Sequence, residues 1–218
     1  ASPKRRVVGC ISSLPIEGVV FDPMSGTPLP RSRQIPPWAV LSEMEGVFDV
    51  RRIGPTTQEL PKDLDVLVLI HPKGLTDRML WEIDQYVMNG GKVIAFVDPL
   101  CESDIPPGAE RNPLSLLQAD RSSSIGPLAS AWGIEIDKEK IVGDLASAMQ
   151  VQTSADPNSQ PLTFPAWMNL EAERMAASDP ITARLRTLIV PSAGAIIAKP
   201  DGLTLTPLVQ TGPAAGFI

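Results

Sequence analysis

Six side chains able to bind a ligand or move a proton lie directly after stretches of sequence typical of buried β-strands. They are two serines, a histidine, a lysine and two carboxylates: Ser12, Ser13, His71, Lys73, Asp98 and Glu102. In open parallel sheets, ligands usually bind beyond the carboxyl ends of the strands. The sequence therefore predicts that these six residues line a ligand-binding crevice at one edge of a sheet.

The same residue types could instead support hydrolysis, with Ser12 or Cys101 as the nucleophile and His71 as its base. Neither nucleophile lies in the Gly-x-Ser-x-Gly type of turn that exposes a reactive side chain after a strand. His71 is more simply interpreted as a group that hydrogen-bonds to the local backbone. We therefore expect no catalytic residue, and a hydrolase is kept as the alternative.

Asp98 has two interpretations of equal weight. Its carboxylate either faces a ligand at the sheet edge or forms a turn ahead of Pro99. Among the tryptophans, Trp81 and Trp167 are expected to be the more exposed rings. They could stack on a sugar, although packing within the protein is the simpler role.

Metal and cofactor sites are not expected. One histidine and two cysteines cannot supply a three-histidine or four-cysteine zinc site, so only a carboxylate-dominated site stays possible. The pair Gly90 and Gly91 follows a predicted helix and precedes a strand, which is the wrong order for a phosphate-binding loop. Whether Cys10 and Cys101 form a disulfide is left open.

Charge and hydropathy limit the partners of this 218-residue chain. It has 25 acidic and 19 basic residues and a net charge of −6, so a nucleic acid is not an expected partner. Its longest apolar runs are about five residues, far below the roughly 20 of a membrane helix. Because the sequence begins at Ala1 rather than methionine, we expect it to be part of a longer chain.

Residues 61–99 carry the clearest structural pattern. The run 66–70 (VLVLI) lacks alternation, which is typical of a parallel strand covered on both faces. Thr76 can cap the following amphipathic helix, Gly90 and Gly91 can end it, and residues 93–97 are predicted to form a second buried strand. The sequence therefore predicts a parallel strand-helix-strand unit.

The other elements are predicted more coarsely. We expect strands at 6–11, 49–53 and 139–142, a helix at 37–47, and one long or two short helices between 113 and 132. Proline-rich segments at 14–37 and 144–165 are expected to be a loop and either a protruding arm or a β-rich insertion. Further strands are predicted at 188–190, 195–198 and 203–209. The prediction is one α/β domain over 1–218, with a doubly wound, mostly parallel core at about 4–145, a proline-rich arm at about 146–180 and returning strands at about 185–210.

Three blocks of the sequence resemble a known family. They are residues 64–76 (LDVLVLIHPKGLT), 83–87 (IDQYV) and 90–99 (GGKVIAFVDP), supported by 133–134, 141–144, 179–182 and 188–194. The chain resembles the auxiliary component of ABC-type transport systems related to gliding-motility transporters, called GldG-like.

The resemblance implies a noncatalytic, extracytoplasmic accessory or ligand-binding domain that works beside a permease and an ATPase. It also implies a periplasmic location, with tethering helices outside this segment, and a fold similar to flavodoxin and class I glutamine amidotransferases. A related domain suspected of binding glycans makes a glycan-binding module a further alternative, and a protein-docking module is another. The resemblance supplies no catalytic residues.

Overall fold

The computed structural model describes residues 4–19, 27–28, 30, 34–106, 109, 112, 114–152, 159–198 and 204–218. These residues form two compact units. The first unit extends to Val97 and includes Ser124–Gly126; the second contains Asp98–Ser123 and Pro127–Ile218. That the chain is one domain over 1–218 stays a prediction.

A four-stranded parallel sheet forms the centre of the first unit. Its strands are β1 (Val7–Ser12), β2 (Asp49–Arg52), β3 (Val66–Ile70) and β4 (Val93–Phe96), in the order β2-β1-β3-β4. β1 and β3 lie side by side, with Cys10 opposite Val68; the apolar side chains of β1 are buried, as are Leu67, Val68 and Leu69 of β3. The prediction of an α/β core with a parallel sheet is confirmed.

Two helices connect these strands. α1 (Ala39–Val47) lies between β1 and β2 in the chain, and α2 (Asp77–Met88) lies between β3 and β4. The Thr76 hydroxyl caps α2 by accepting a hydrogen bond from the Met79 backbone N–H at 3.2 Å. Gly90 ends α2 with a φ of 85°, a conformation that glycine adopts without steric cost. The predicted strand-helix-strand unit is confirmed, because β3 and β4 are parallel neighbours.

One part of that prediction is wrong, because β4 is not a buried strand. Ile94 is 49% exposed and Phe96 is 58% exposed. β4 pairs only with β3 among the described strands, so it is an edge of the sheet. An apolar run alone does not distinguish a central strand from an edge strand.

The N-terminal helix and loop differ from prediction in detail. α1 begins at Ala39 rather than near Pro37, and it buries only Leu41. The proline-rich segment 14–37 contains an isolated bridge between Val19 and Ile35. Residues 20–26, 29 and 31–33 of that predicted loop lie outside the described residues.

The second unit consists of short helices and antiparallel strand pairs. The helices and strands are α3 (Leu114–Gln118), α4 (Pro127–Ala131), β5 (Ile134–Ile136), β6 (Val142–Asp144), β7 (Ala148–Val151), β8 (Leu162–Glu171), β9 (Thr187–Pro191), β10 (Ile196–Ala198) and β11 (Ala215–Phe217). β7, β8 and β9 form one antiparallel sheet, and the pairs β10 with β5 and β11 with β6 form two more. The strand-rich C-terminal additions are therefore confirmed.

Several predicted boundaries in this unit change. The alternative of two short helices is confirmed, and the strand predicted at 139–142 is found at Val142–Asp144. The proline-rich arm at about 146–180 is β-rich, since β7 and the whole of β8 lie in it. The described part of 203–209 forms no strand and contributes one isolated bridge, between Met175 and Val209.

Candidate functional site

A pocket of about 330 Å³ opens at the carboxyl ends of β1 and β2. Parallel pairing of these strands sets Cys10 opposite Arg52, so the residues that follow both strands reach the same edge. Ser12 and Arg52 supply the polar groups near the strand ends, and Glu17 supplies a carboxylate from the next loop. The remaining lining is apolar or glycine: Leu14, Pro15, Ile16, Gly18, Ile53, Gly54 and Pro55.

Arg52 is the main charged group of this strand-end pocket. Its Nη2 lies 2.7 Å from Glu45 Oε1, and its Nε lies 3.3 Å from Glu17 Oε1. The side chain is about half exposed, so these ion pairs are solvated and weak in energy, although they orient the guanidinium group. The pocket thus combines a guanidinium, a carboxylate and a hydroxyl group within an apolar rim.

Cys10 lies in the floor of the same pocket and is a free, buried thiol. Burial raises the pKa of Cys10, and the Glu17 carboxylate adds to that rise, while the positive charge of Arg52 opposes it. The net shift is upward, so the thiol stays protonated near neutral pH. A protonated thiol is a packing group rather than a nucleophile.

A hydrogen bond from a side chain to the backbone connects two of the predicted site residues, Ser13 and His71. The Ser13 hydroxyl donates a hydrogen bond to the His71 carbonyl, which connects the carboxyl ends of β1 and β3. His71 is buried, has a φ of 48°, and donates its backbone N–H to the Phe96 carbonyl at 2.9 Å. These are contacts of the His71 main chain, so the interpretation that its imidazole hydrogen-bonds to the local backbone stays a prediction.

Ser12 and Lys73, the other two predicted site residues of the first unit, each have their own contacts. The Ser12 hydroxyl accepts a hydrogen bond from the Leu14 backbone N–H at 3.1 Å, which shapes the turn after β1. Lys73 is half-buried and has an interaction partner. Only Ser12, of the four predicted residues in this unit, lines the strand-end pocket.

Asp98 and Glu102 belong to the second unit. The Asp98 backbone exchanges hydrogen bonds with Ser123, donating to its hydroxyl at 2.9 Å and accepting from its N–H at 2.8 Å. Glu102 Oε1 accepts hydrogen bonds from Trp167 Nε1 at 2.6 Å and from the Ser192 hydroxyl at 2.7 Å. That the six residues share one crevice stays a prediction.

Cys101, the alternative nucleophile, also lies in the second unit as a free, buried thiol. Burial raises its pKa, and the backbone N–H groups of Ser103 and Asp104 offset only part of the rise. The two cysteines are therefore both unpaired by disulfide and both protonated near neutral pH. Neither has the lowered pKa that activated thiols need.

Trp81 and Trp167, the two tryptophans predicted to be more exposed, both contact other side chains of the protein. Trp81 is half exposed, with the Arg78 guanidinium 4.5 Å above its ring. Trp167 is half-buried, and Phe164 meets it edge to face with ring centroids 5.9 Å apart.

Sequence reasoning missed Arg52 and Glu17. Arg52 lies within the strand predicted at 49–53 and is the last residue of β2, so the rule that ligands bind at strand ends applies to it. Glu17 lies in the proline-rich loop, where no pattern relates it to Arg52.

Sequence reasoning also missed Asp144 in the second unit. Its side chain is fully buried and accepts backbone hydrogen bonds from Gly212 at 2.8 Å and Ala146 at 2.9 Å. This carboxylate is enclosed by the protein's own donors, so it is a structural group.

The residues that the structure describes contain neither a membrane-spanning helix nor a metal-binding cluster. No helix in that part of the chain is long and apolar enough to cross a bilayer. No cluster of three or more histidine, cysteine, aspartate or glutamate residues there could hold a metal ion.

Comparison with known proteins matches nearly the whole chain to a protein family. The model of a family described as ABC-type uncharacterized transport system, an auxiliary component of ABC transport, matches residues 5–217. No curated protein and no solved structure matches the chain.

Proposed function

Because this chain belongs to the family of ABC-type uncharacterized transport systems, matched over residues 5–217, we propose that it is a noncatalytic, extracytoplasmic ligand-binding domain of such a system. The observation that carries the proposal is the strand-end pocket of Ser12, Glu17 and Arg52. Pockets at this edge of a parallel sheet are the usual ligand sites of open α/β folds. The domain binds its ligand there and acts beside the permease and ATPase of the transport system.

The pocket chemistry favours a small polar ligand with both hydrogen-bond donors and acceptors. Arg52 can donate to a carboxylate, carbonyl or sugar oxygen, and Glu17 can accept from hydroxyl or amide groups. The apolar rim suits the carbon face of a sugar or a short aliphatic side chain. Oligosaccharides and peptidoglycan fragments meet these requirements and are the first ligands to test.

The strand order supports a flavodoxin-like, doubly wound fold as part of this proposal. The order β2-β1-β3-β4 is that of the first four strands of flavodoxin-like sheets. Across the sheet, the step from β1 to β2 runs towards one edge, and the step from β3 to β4 runs towards the opposite edge. Since such crossovers are nearly always right-handed, α1 and α2 then cover opposite faces of the sheet.

The binding test uses neighbouring arginines of β2 whose side chains point to opposite faces. Arg52→Gln removes the charge of the strand-end pocket, whereas Arg51→Gln removes a guanidinium paired with Asp63 at 2.6 Å outside it. Calorimetric titration with oligosaccharides and peptidoglycan fragments should give binding that Arg52→Gln weakens about 10- to 100-fold. Arg51→Gln should leave the affinity unchanged.

The proposal fails if none of these ligands binds and the protein instead turns over an ester or an amide. It also fails if both arginine variants reduce binding equally, because the strand-end pocket would then have no special role. The His71→Ala variant separates the hydrolase alternative, since it should abolish any such turnover that uses His71 as base.

The location is tested separately by labelling a longer chain that carries its tethering segments. Both native cysteines are buried, so a cysteine introduced at the exposed Leu117 becomes the main reactive thiol. A membrane-impermeant maleimide should label Leu117→Cys in intact spheroplasts. Labelling that requires cell lysis would contradict the extracytoplasmic location.

A further inference from the structure

Two side chains of opposite charge line the strand-end pocket, and they pair with each other. Arg52 Nε lies 3.3 Å from Glu17 Oε1, and both side chains are about half exposed to solvent. Both charges reach the pocket floor, since Arg52 lowers the pKa of the Cys10 thiol and Glu17 raises it. The pocket therefore presents one positive and one negative group side by side.

Arg52 is also held from outside the pocket. Its Nη2 lies 2.7 Å from Oε1 of Glu45, a residue of α1 that is not part of the pocket lining. An ion pair as exposed as that of Arg52 with Glu17 contributes little to stability, so a ligand can separate these two side chains at small cost. Glu45 continues to orient the guanidinium group when Glu17 moves away from it.

The paired charges discriminate between classes of ligand. A neutral sugar leaves the ion pair closed and contacts it only through hydrogen bonds. A ligand with a single charge separates the pair and leaves one of the two residues without a partner, which is costly once the ligand excludes water. A ligand with a positive and a negative group pairs with both residues at once. The pocket therefore favours a zwitterion.

The spacing of the charges and the apolar lining narrow this class further. Because the two charged side chains lie within ion-pair distance, the charges of the ligand must also be close together, as they are when an ammonium and a carboxylate share one carbon atom. Leu14, Ile16 and Ile53 are buried side chains of the lining, and they suit an aliphatic group. The volume of about 330 Å³ is at the small end of the range for ligand sites.

We propose that the strand-end pocket binds a free α-amino acid with an aliphatic side chain. Arg52 donates to its carboxylate, Glu17 accepts from its ammonium group, and the apolar lining contacts its side chain. Glu45 acts from outside as a positioning residue for Arg52. The inference rests on the proposed function, which places the ligand in this pocket, and it narrows the ligand from small polar molecules to amino acids.

The test compares leucine with analogues that each lack one charge. N-acetylleucine has no ammonium group, and leucinamide has no carboxylate. In calorimetric titrations, wild-type protein should bind leucine at least about tenfold more tightly than either analogue. Leucylglycine has its two charges one residue farther apart and should also bind at least about tenfold more weakly than leucine. Equal binding of leucine and leucylglycine would assign the pocket to peptide ends and overturn the inference.

Two variants should each remove the preference for one charge of the ligand. Glu17→Gln should bring leucine and N-acetylleucine to within about threefold of each other, while leucinamide stays at least about tenfold weaker than leucine. Arg52→Gln should give the reverse pattern. Glu17→Gln should also bind N-acetylleucine more tightly than wild type does, because Glu17 no longer competes with the carboxylate of this ligand for Arg52.

Glu43→Gln is the matched control, because Glu43 is an exposed glutamate of α1 outside the pocket lining. It should leave the affinities for leucine and both analogues unchanged. Wild-type protein that does not bind leucine would overturn the inference. So would Glu17→Gln and Arg52→Gln proteins that weaken both analogues in the same way.

Neutral sugars separate this inference from the proposed function. Oligosaccharide binding that Arg52→Gln weakens, without any binding of leucine, would overturn the amino acid as ligand but keep the pocket as the ligand site. Leucine binding that neither Glu17→Gln nor Arg52→Gln changes would overturn both, because the amino acid would then bind elsewhere on the protein.

Discussion

Replacing Asp144 by Asn should destabilise the second unit strongly although the side chains have the same shape. Asp144 is fully buried in β6. Its Oδ2 accepts from Gly212 N–H at 2.8 Å and from the Ser147 hydroxyl at 3.3 Å, and its Oδ1 accepts from Ala146 N–H at 2.9 Å. Asparagine has one acceptor oxygen, so its NH₂ group must face at least one of these backbone donors.

The cost follows from the hydrogen bonds lost. A hydrogen bond to a charged group contributes about 1.5–3 kcal/mol, and a buried donor left unsatisfied costs about 1–3 kcal/mol. The lost bond and the unsatisfied donor are two sides of the same change, so these two values overlap and are not simply added. We therefore expect Asp144→Asn to lower the free energy of unfolding by about 2–4 kcal/mol. Urea unfolding followed by tryptophan fluorescence measures this change.

Asp120→Asn is the control in the same unit. Asp120 Oδ1 accepts from the N–H and hydroxyl of Ser122 at 2.9 and 2.6 Å on the surface, and an amide oxygen can accept both bonds. We expect a change of about 0.5 kcal/mol or less. If Asp144→Asn destabilises no more than Asp120→Asn, the buried carboxylate does not hold β6 and the C-terminal segment together.

The pH dependence gives an independent test of the same carboxylate. Burial by itself raises the pKa of Asp144, but the N–H groups of Gly212 and Ala146, the Ser147 hydroxyl and the charge of Arg174 outweigh it. The pKa is therefore lowered in the folded protein. Its contribution to stability is fully present above the unfolded pKa of about 3.9 and is lost as the pH falls through the folded pKa. Asp144→Asn should lose this acid-dependent part of the unfolding free energy.

Three further substitutions test the packing of the first unit by urea unfolding. Thr76→Ala removes the N-cap of α2 and should cost about 0.5–2 kcal/mol, whereas Thr76→Ser should keep most of the stability. Gly9→Ala should cost about 1–3 kcal/mol, because its Cβ would lie 2.9 Å from the Cδ1 atoms of Ile53 and Leu64. Gly46→Ala, within α1 and with no atom beyond its own helix backbone within 4 Å of the new Cβ, should instead stabilise by about 0.5–1 kcal/mol. A gain from Gly9→Ala or a loss from Gly46→Ala would refute the corresponding packing argument.

The sequence predicted the first unit well because its signals are local. A continuous apolar run defines β3, and the Thr76 cap and the Gly90 terminus define α2. These features depend on residues within one turn or one strand. The edge position of β4 depends on which strands lie beside it, so the run at 93–97 did not predict its exposure.

The second unit was harder to predict because its longest strand contains a proline. β8 includes Pro165, a residue that argues against a regular strand. The structure accommodates it where the register of β7 and β8 shifts, between the pair Met149–Phe164 and the pair Ala148–Met168. Because of this bulge, β7 does not need a hydrogen bond from the N–H that Pro165 lacks. The bulge depends on the pairing with β7, so the sequence of β8 alone does not predict it.

The position of the strand-end pocket follows from how the first unit closes its sheet edge. The order of the sheet makes the crevice between β1 and β3 the usual ligand site. Here that crevice is bridged, since the Ser13 hydroxyl after β1 donates a hydrogen bond to the His71 carbonyl after β3. Between β1 and β2 the backbone continues through two loops, at 14–18 and 53–55, whose residues line an open space. Removing the bridge with Ser13→Ala should therefore leave ligand affinity at the Arg52 pocket unchanged, and a large loss would place the ligand between β1 and β3 instead.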